Sequence, residues 1–156
     1  MISVVVATLN DEAHLARALE PLVPAAISGL VREVIVCDGG SNDATLEIAD
    51  DAGARIVRGE GDRMARALAG VEAAKGTWLL LLDPRGWLEP AWKDVAAEHI
   101  QMFPGQGGYF PSASGGLMGR LTRTRDDALL LPAGASLKGA GARRLKARLF
   151  LANPRP

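Results

Sequence analysis

Glu33-Val34-Ile35-Val36-Cys37-Asp38-Gly39-Gly40-Ser41-Asn42-Asp43-Ala44-Thr45 is the stretch on which the fold of this chain turns. Glu33–Cys37 is a β-branched run and predicts a strand. Asp38 to Asp43 consists of turn-forming residues and predicts a loop. A helix is expected from about Ala44 to Ala52. An open α/β sheet holds its ligands beyond the strand ends, so a carboxylate at the end of such a strand faces a binding crevice.

The same order repeats on both sides of this stretch. Met1–Ala7 predicts a first strand, and Asn10 is placed to cap a helix from Asp11 to Leu22 whose inner face is Leu15, Ala18, Leu19 and Leu22. Asp11 and Glu12 suit the positive end of that helix. Ala54–Val57 predicts a third strand. A helix from Asp62 to Ala74 is expected to stop at Gly76 in a left-handed conformation. Thr77–Leu82 predicts a fourth strand, ending in Asp83-Pro84-Arg85, and Pro90 suits the first turn of a helix reaching Gln101. Alternating strands and helices predict an α/β chain: a three-layer α/β/α architecture on a mostly parallel sheet. Past Phe103 the pattern weakens into a segment carrying Gly105, Gly107, Gly108, Gly115, Gly116 and Gly119. Ala128–Leu131 predicts one more strand, at a sheet edge, and Arg143–Leu151 a basic amphipathic helix.

The chain has 156 residues, 48% of them hydrophobic, enough for one domain with a sizeable core. The expected organisation is a single domain, 1–156, with an α/β half at 1–102 and an irregular segment with a basic tail at 103–156. Cys37 is the only cysteine. No apolar run is long enough to span a membrane, and the N-terminus reads as a strand rather than a signal peptide. A cytoplasmic location is therefore expected. The zero net charge hides an asymmetry: residues 1–119 carry 9 Lys+Arg and 16 Asp+Glu, whereas residues 120–156 carry 9 Lys+Arg against Asp126 and Asp127 alone.

Three polar clusters close predicted strands: Thr8-Leu9-Asn10-Asp11-Glu12, Asp38 to Asp43, and Asp83-Pro84-Arg85. Parallel strands would bring them to one rim. Asp38 can accept hydrogen bonds from a base or a ribose, Gly39 and Gly40 permit close approach to the backbone, and Asp83 can hold a metal ion or a sugar hydroxyl. The alternative is that Asn10, Asp38 and Asp43 only cap helices and build turns.

Val4 to Glu12 and Glu33 to Thr45 resemble family 2 glycosyltransferases of the GT-A fold, the second stretch lying close to their "V-D-G-G-S-x-D-G-T" pattern. Arg63 to Gly76, followed by Leu79 to Asp83, resembles the passage into their metal-binding "D-x-D" strand. The resemblance covers about residues 2–90. It implies a GT-A domain, truncated at its C-terminal end, that transfers a sugar from a nucleotide-diphospho-sugar to an unknown acceptor. It also implies that Thr8, Asn10, Glu12, Asp38 and Gly39 line the nucleoside, that Asp83 is the first metal acid for Mg2+ or Mn2+, and that residues 103–156 form the acceptor side. No nucleic-acid partner is expected, and no oligomeric state is indicated.

The chain departs from that pattern. Arg85 replaces the second metal acid, so the ion would be weakly bound or absent. Leu68 stands where the family pattern often has Asn. The usual "E-D" acid pair is missing, which leaves Asp126 and Asp127 as candidate catalytic acids beside Asp83. Arg85 either neutralises a diphosphate itself or pairs with Asp83 and closes the site. Arg63 and Arg66, one helical turn apart, either face a phosphate or form a solvated helix surface, the second being favoured. The leading reading is a glycosyltransferase; the alternative is an inactive nucleotide-sugar-binding or regulatory relative. A receiver-like domain and a dinucleotide-binding domain fit the motif positions poorly. The basic tail is read first as a surface helix packed on the acidic body. Its alternative is a peripheral contact with the inner face of a membrane. Trp92 is expected to pack, Trp87 is left between packing and sugar binding, and His14 and His99 are expected on helix surfaces.

Overall fold

The computed structural model describes residues 1–111, 128–135, 142–147 and 149–151. In chain order its elements are β1 Ile2–Thr8, α1 Glu12–Leu19, a 3-10 turn Glu20–Leu22, α2 Val23–Ile27, β2 Val31–Asp38, α3 Thr45–Asp51 and β3 Arg55–Arg58. There follow α4 Arg63–Ala73, β4 Trp78–Leu82, β5 Gly86–Leu88, α5 Trp92–Met102, β6 Gly108–Phe110, β7 Ala128–Pro132, β8 Arg143–Arg144 and β9 Leu149–Leu151.

Seven strands make one sheet in the order β3-β2-β1-β4-β7-β6-β8. β1, β2, β3 and β4 are mutually parallel, and β7 runs antiparallel to both of its neighbours. The order reverses between β1 and β4, because the chain moves outward through β2 and β3 and then returns to the other side of β1. Such a reversal leaves a crevice beyond the strand ends. The sheet draws strands from both sides of the 102/103 division.

Helices cover both faces, as the alternation predicts. Along β1 the side chains alternate: Ile2, Val4 and Val6 join the larger core with Leu15, Leu19, Leu22, Ala49 and Trp92, while Val5 joins Ile35 and Cys37 on the other face with Val71 of α4. Gly70 lets α4 settle onto that face, since a Cβ there would run into Cys37 Sγ and Val5 Cγ1. Burial pushes the Cys37 thiol up to about 11, which leaves it a packing group.

Several expectations are corrected. The helix expected over Asp11–Leu22 ends at Leu19, and Pro21 and Pro24 open the 3-10 turn and α2 because they lack the N–H an α-helix interior needs. Gly76 is not a left-handed stop; α4 ends where Ala74 turns extended, with φ −70° and ψ 143°. Gly76 instead passes so close to β1 that its N–H donates to Ser3 Oγ at 2.8 Å. β7 lies inside the sheet rather than at its edge, between β4 and β6.

The basic tail is not a helix in its described residues. β8 pairs with β6, and β9 pairs with β5 in a second, two-stranded sheet. Leu145, Ala147 and Leu149 are all buried, a period of two that extended chain satisfies and a helix does not. The leucine face offered for a membrane contact is therefore spent on the core. His99 is also buried rather than on a helix surface. Its Nε2 lies 2.7 Å from the Gln106 carbonyl, and its ring packs on Phe103 and Trp78.

Candidate functional site

Three loops and one helix start meet beyond the C-terminal ends of β1, β2 and β4. The loops after β1 and β2 are laced together by reciprocal hydrogen bonds. Asn42 N–H donates to Asn10 Oδ1 at 2.9 Å, and Asn10 N–H donates to Ser41 Oγ at 2.9 Å. Glu12 N–H donates to Asp43 Oδ2 at 3.2 Å, while Glu12 Oε2 accepts from Ala44 N–H at 2.9 Å. Each helix start is thus satisfied partly by the other loop, which answers the unpaired N–H groups of both. Asn10 sits at φ +56°, in the left-handed region that Asn tolerates, and serves the neighbouring loop instead of capping its own helix.

Asp38 is the hub of this lacing. Its Oδ1 accepts from Thr8 Oγ1 at 3.1 Å and from Ser41 Oγ at 2.5 Å; its Oδ2 accepts from Gly40 N–H and Ser41 N–H, both at 2.8 Å. Burial pushes its pKa up, and these four bonds outweigh it, so the carboxyl stays below the usual range. Gly39 is exposed and lies against the Arg66 side chain: a Cβ there would be 2.9 Å from Arg66 Cδ. Among the residues expected to line a nucleoside, Asn10 borders the crevice, Thr8 and Asp38 are buried beside it, and Glu12 and Gly39 are exposed next to the loops that flank it.

The crevice itself has a volume of about 480 Å³ and opens between β1 and β4. Leu9, Asn10 and Asp11 line one side, Asp83, Pro84 and Arg85 another, and Arg63 and Arg66 reach in from α4. Asp83 ends β4 and starts a turn closed by Gly86 N–H on its carbonyl, with Arg85 N–H on its Oδ1 at 2.8 Å. Arg85 Nε and Nη2 then fold back onto Oδ1 and Oδ2 at 3.3 and 3.2 Å. Arg63 Nη1 approaches the same Oδ2 at 2.5 Å. The Asp83 side chain is 2% exposed, those of Arg63 and Arg85 44% and 40%. Burial pushes the Asp83 pKa up, and the Arg85 hydrogen bond with the charges of Arg63 and Arg85 outweighs it, holding the carboxyl below the usual range. Arg66 lies between Gly39 and Gly59, donates from Nη1 to the Gly61 carbonyl at 2.7 Å, and keeps a buried Nε with no partner among the described residues. In the sequence the signal for Arg66 is its spacing of three from Arg63, one turn along α4.

This donor set does not fit a divalent ion. A single carboxylate ends β4, it is already shared by two guanidinium groups, and a third guanidinium lines the same crevice. No group of three His, Cys, Asp or Glu that could hold a metal occurs among the described residues. Asp126 and Asp127 lie outside the described residues. Trp87 packs against Arg17, whose Cζ lies 3.4 Å from its ring centre, and against Phe150, stacked at 5.9 Å. Trp92 packs as expected: it is buried, and its indole N–H donates to the Pro21 carbonyl at 2.9 Å.

A mostly parallel sheet with reversed order and a polar crevice at the reversal defines an open α/β fold of the kind that holds its ligands at that switch point. The family model for glycosyl transferase family 2 matches residues 3–107, and the chain belongs to that family. It is 36% identical over 92 residues to a PGL/p-HBAD biosynthesis glycosyltransferase of Mycobacterium tuberculosis, covering 53% of this chain and 34% of that protein. Among solved structures it resembles glucosyl-3-phosphoglycerate synthase from M. tuberculosis in complex with Mn2+, UDP and phosphoglyceric acid, with TM-score 0.59 and 29% identity over 74% of this chain and 44% of that one. It also shares the fold of S. aureus TarS 1–349 in complex with UDP-GlcNAc, with TM-score 0.73 and 17% identity over 99% of this chain and 59% of that one. The chain spans about a third of the length of the curated relatives it matches. The mostly parallel sheet with helices on both faces is the GT-A architecture expected from the sequence.

Proposed function

We propose that this domain binds a nucleotide-diphospho-sugar in the crevice between β1 and β4 and serves its transfer to an acceptor. The observation that carries the reading is the convergence of the β1 and β4 ends on one crevice with three arginines on its wall. An arginine-lined crevice suits a phosphorylated ligand, because guanidinium matches phosphate geometry. Asn10 and Asp11 take the nucleoside side, and residues 103–156, with Asp126 and Asp127 as candidate acids, take the acceptor side of a single domain. Mg2+ or Mn2+ is weakly bound or absent, because Arg85 stands where a second acid would be. The solved neighbours hold UDP or UDP-sugars, so uridine diphosphates are the first donors to test. No helix among the described residues is long and apolar enough to cross a membrane; contact of the basic tail with an anionic surface is a secondary proposal, carried by charge alone.

A panel of nucleoside diphosphates and their sugars, scanned by thermal shift, tests the reading. A ligand at a hundred times its Kd stabilises by about 2.7 kcal/mol, a Tm rise of about 5–10 °C for a chain of this size. No rise with any member would refute it. Donor hydrolysis or transfer then separates the enzyme from a binding relative. The second reading is favoured by one observation: Asp83, the only described acid at the motif, is committed to two arginines.

A further inference from the structure

We infer that the crevice holds a diphosphate through Arg63 and Arg85, with Arg66 beside them, and without a metal ion, Asp83 being the buried counter-ion that aims the two arginines. The inference rests on the proposed nucleotide-sugar reading and assigns what takes the place of the ion within it. Three observations carry it.

The first is the division of exposure. All three residues line the crevice, but the Asp83 side chain is almost fully covered, while the two guanidinium groups that touch it stay over a third exposed. A metal site has the opposite order, with carboxylate oxygens turned toward the ion. The second is convergence. Arg63 Nη1 and Arg85 Nη2 contact the same oxygen, Asp83 Oδ2. Two groups held on one atom are preorganised neighbours, and a bridging anion can meet both with little loss of side-chain freedom. The third is charge. Arg63, Arg66 and Arg85 against Asp11 and Asp83 leave the lining positive, which attracts a diphosphate and repels a divalent cation. Arg66 adds a third positive charge to the lining, with its Nη1 held on the Gly61 carbonyl.

Asp83 is on this account a positioning residue. Neutralising it would raise the positive charge of the lining, so the sign of its effect on anion binding is opposite to that of a metal ligand.

Calorimetric titration of the whole chain with UDP and with UMP, in EDTA and then with Mn2+, tests the inference. UDP is expected to bind in EDTA at least tenfold more tightly than UMP, and Mn2+ to change its Kd by less than about threefold. Arg63→Ala and Arg85→Ala are each expected to weaken UDP by about 10- to 100-fold, the range of one charge-assisted hydrogen bond, and to leave UMP within about threefold. Asp83→Asn, which keeps an oxygen for the Arg85 N–H, is expected to hold or tighten metal-free UDP binding, with circular dichroism confirming the fold of each variant. Binding of UDP that requires Mn2+, or that Asp83→Asn abolishes while the arginine variants retain it, would overturn the inference. So would equal binding of UDP and UMP in EDTA, which leaves the nucleotide reading standing. Absence of nucleotide binding in every buffer would overturn the nucleotide reading and the inference together.

Discussion

Replacing Asp38 by alanine removes the acceptor on which the loop after β2 is hung. Four hydrogen bonds end on this carboxylate, two from backbone N–H groups and two from hydroxyls. A hydrogen bond to a charged group contributes about 1.5–3 kcal/mol, but the four are not additive, and Gly40 and Ser41 can regain water, so Asp38→Ala is expected to lose about 3–4 kcal/mol. Asp38→Asn separates charge from geometry. Its amide oxygen can keep the Gly40 and Ser41 N–H groups while its NH2 donates to the Thr8 and Ser41 hydroxyls, which rotate to accept, so a loss of about 1–2 kcal/mol is expected. The folded-state pKa is depressed, so the stabilisation by the charge is fully present above the unfolded value of about 3.9 and is lost as pH falls through the folded value. The stability gap between wild type and Asp38→Asn should therefore close in acid. Urea unfolding at pH 7 and at about pH 3 measures both effects. A loss below about 1 kcal/mol in Asp38→Ala, or a gap that widens as pH falls, would refute the assignment of Asp38 as the structural hub.

Two further substitutions probe the corrected parts of the fold. Gly76→Ala places a Cβ 2.6 Å from Ser3 N and 2.9 Å from the Met1 carbonyl oxygen, both backbone atoms that cannot step aside. A loss of about 1–3 kcal/mol is expected, and an unchanged Tm would show that the approach is not tight. Leu149→Ala is expected to lose about 2–5 kcal/mol in chemical denaturation, as for a core leucine, because Leu149 is fully buried; a surface helix would give about 0.5 kcal/mol or less.

The four parallel strands and the longer helices through Met102 were legible because each carries its own period and its own stop signals; the 3-10 turn, α2 and β5 were not. β1, ISVVVAT, and β4, WLLLL, are apolar runs bounded by polar turns, and Asp38 and Asp83 close their strands as expected. The tail was misread because Leu145 and Leu149, four apart, suit a helix as well as a strand. Only pairing with β6 and β5 chose the strand. β5 and β8, of three and two residues, are too short to show a period at all. At the site, Asp83 and Arg85 were legible from one tripeptide. Arg63 was visible only as half of a pair on a helix, and Arg66 as the other half, with nothing local to say that this face meets the crevice.

Composition, the alternation of strands and helices, and the motifs at strand ends determined an α/β domain of the glycosyl transferase family 2 type and named the ends at which a ligand site would form. Local sequence can do this because hydrophobic period and turn chemistry act within a few residues. Which acid meets which base was decided by the tertiary structure. Returning β4 to the free side of β1 carries Asp83 beneath the first turn of α4, where Arg63 reaches it from twenty positions earlier in the chain. A contact of that kind depends on strand order, and strand order is settled by burying both faces of the sheet at once.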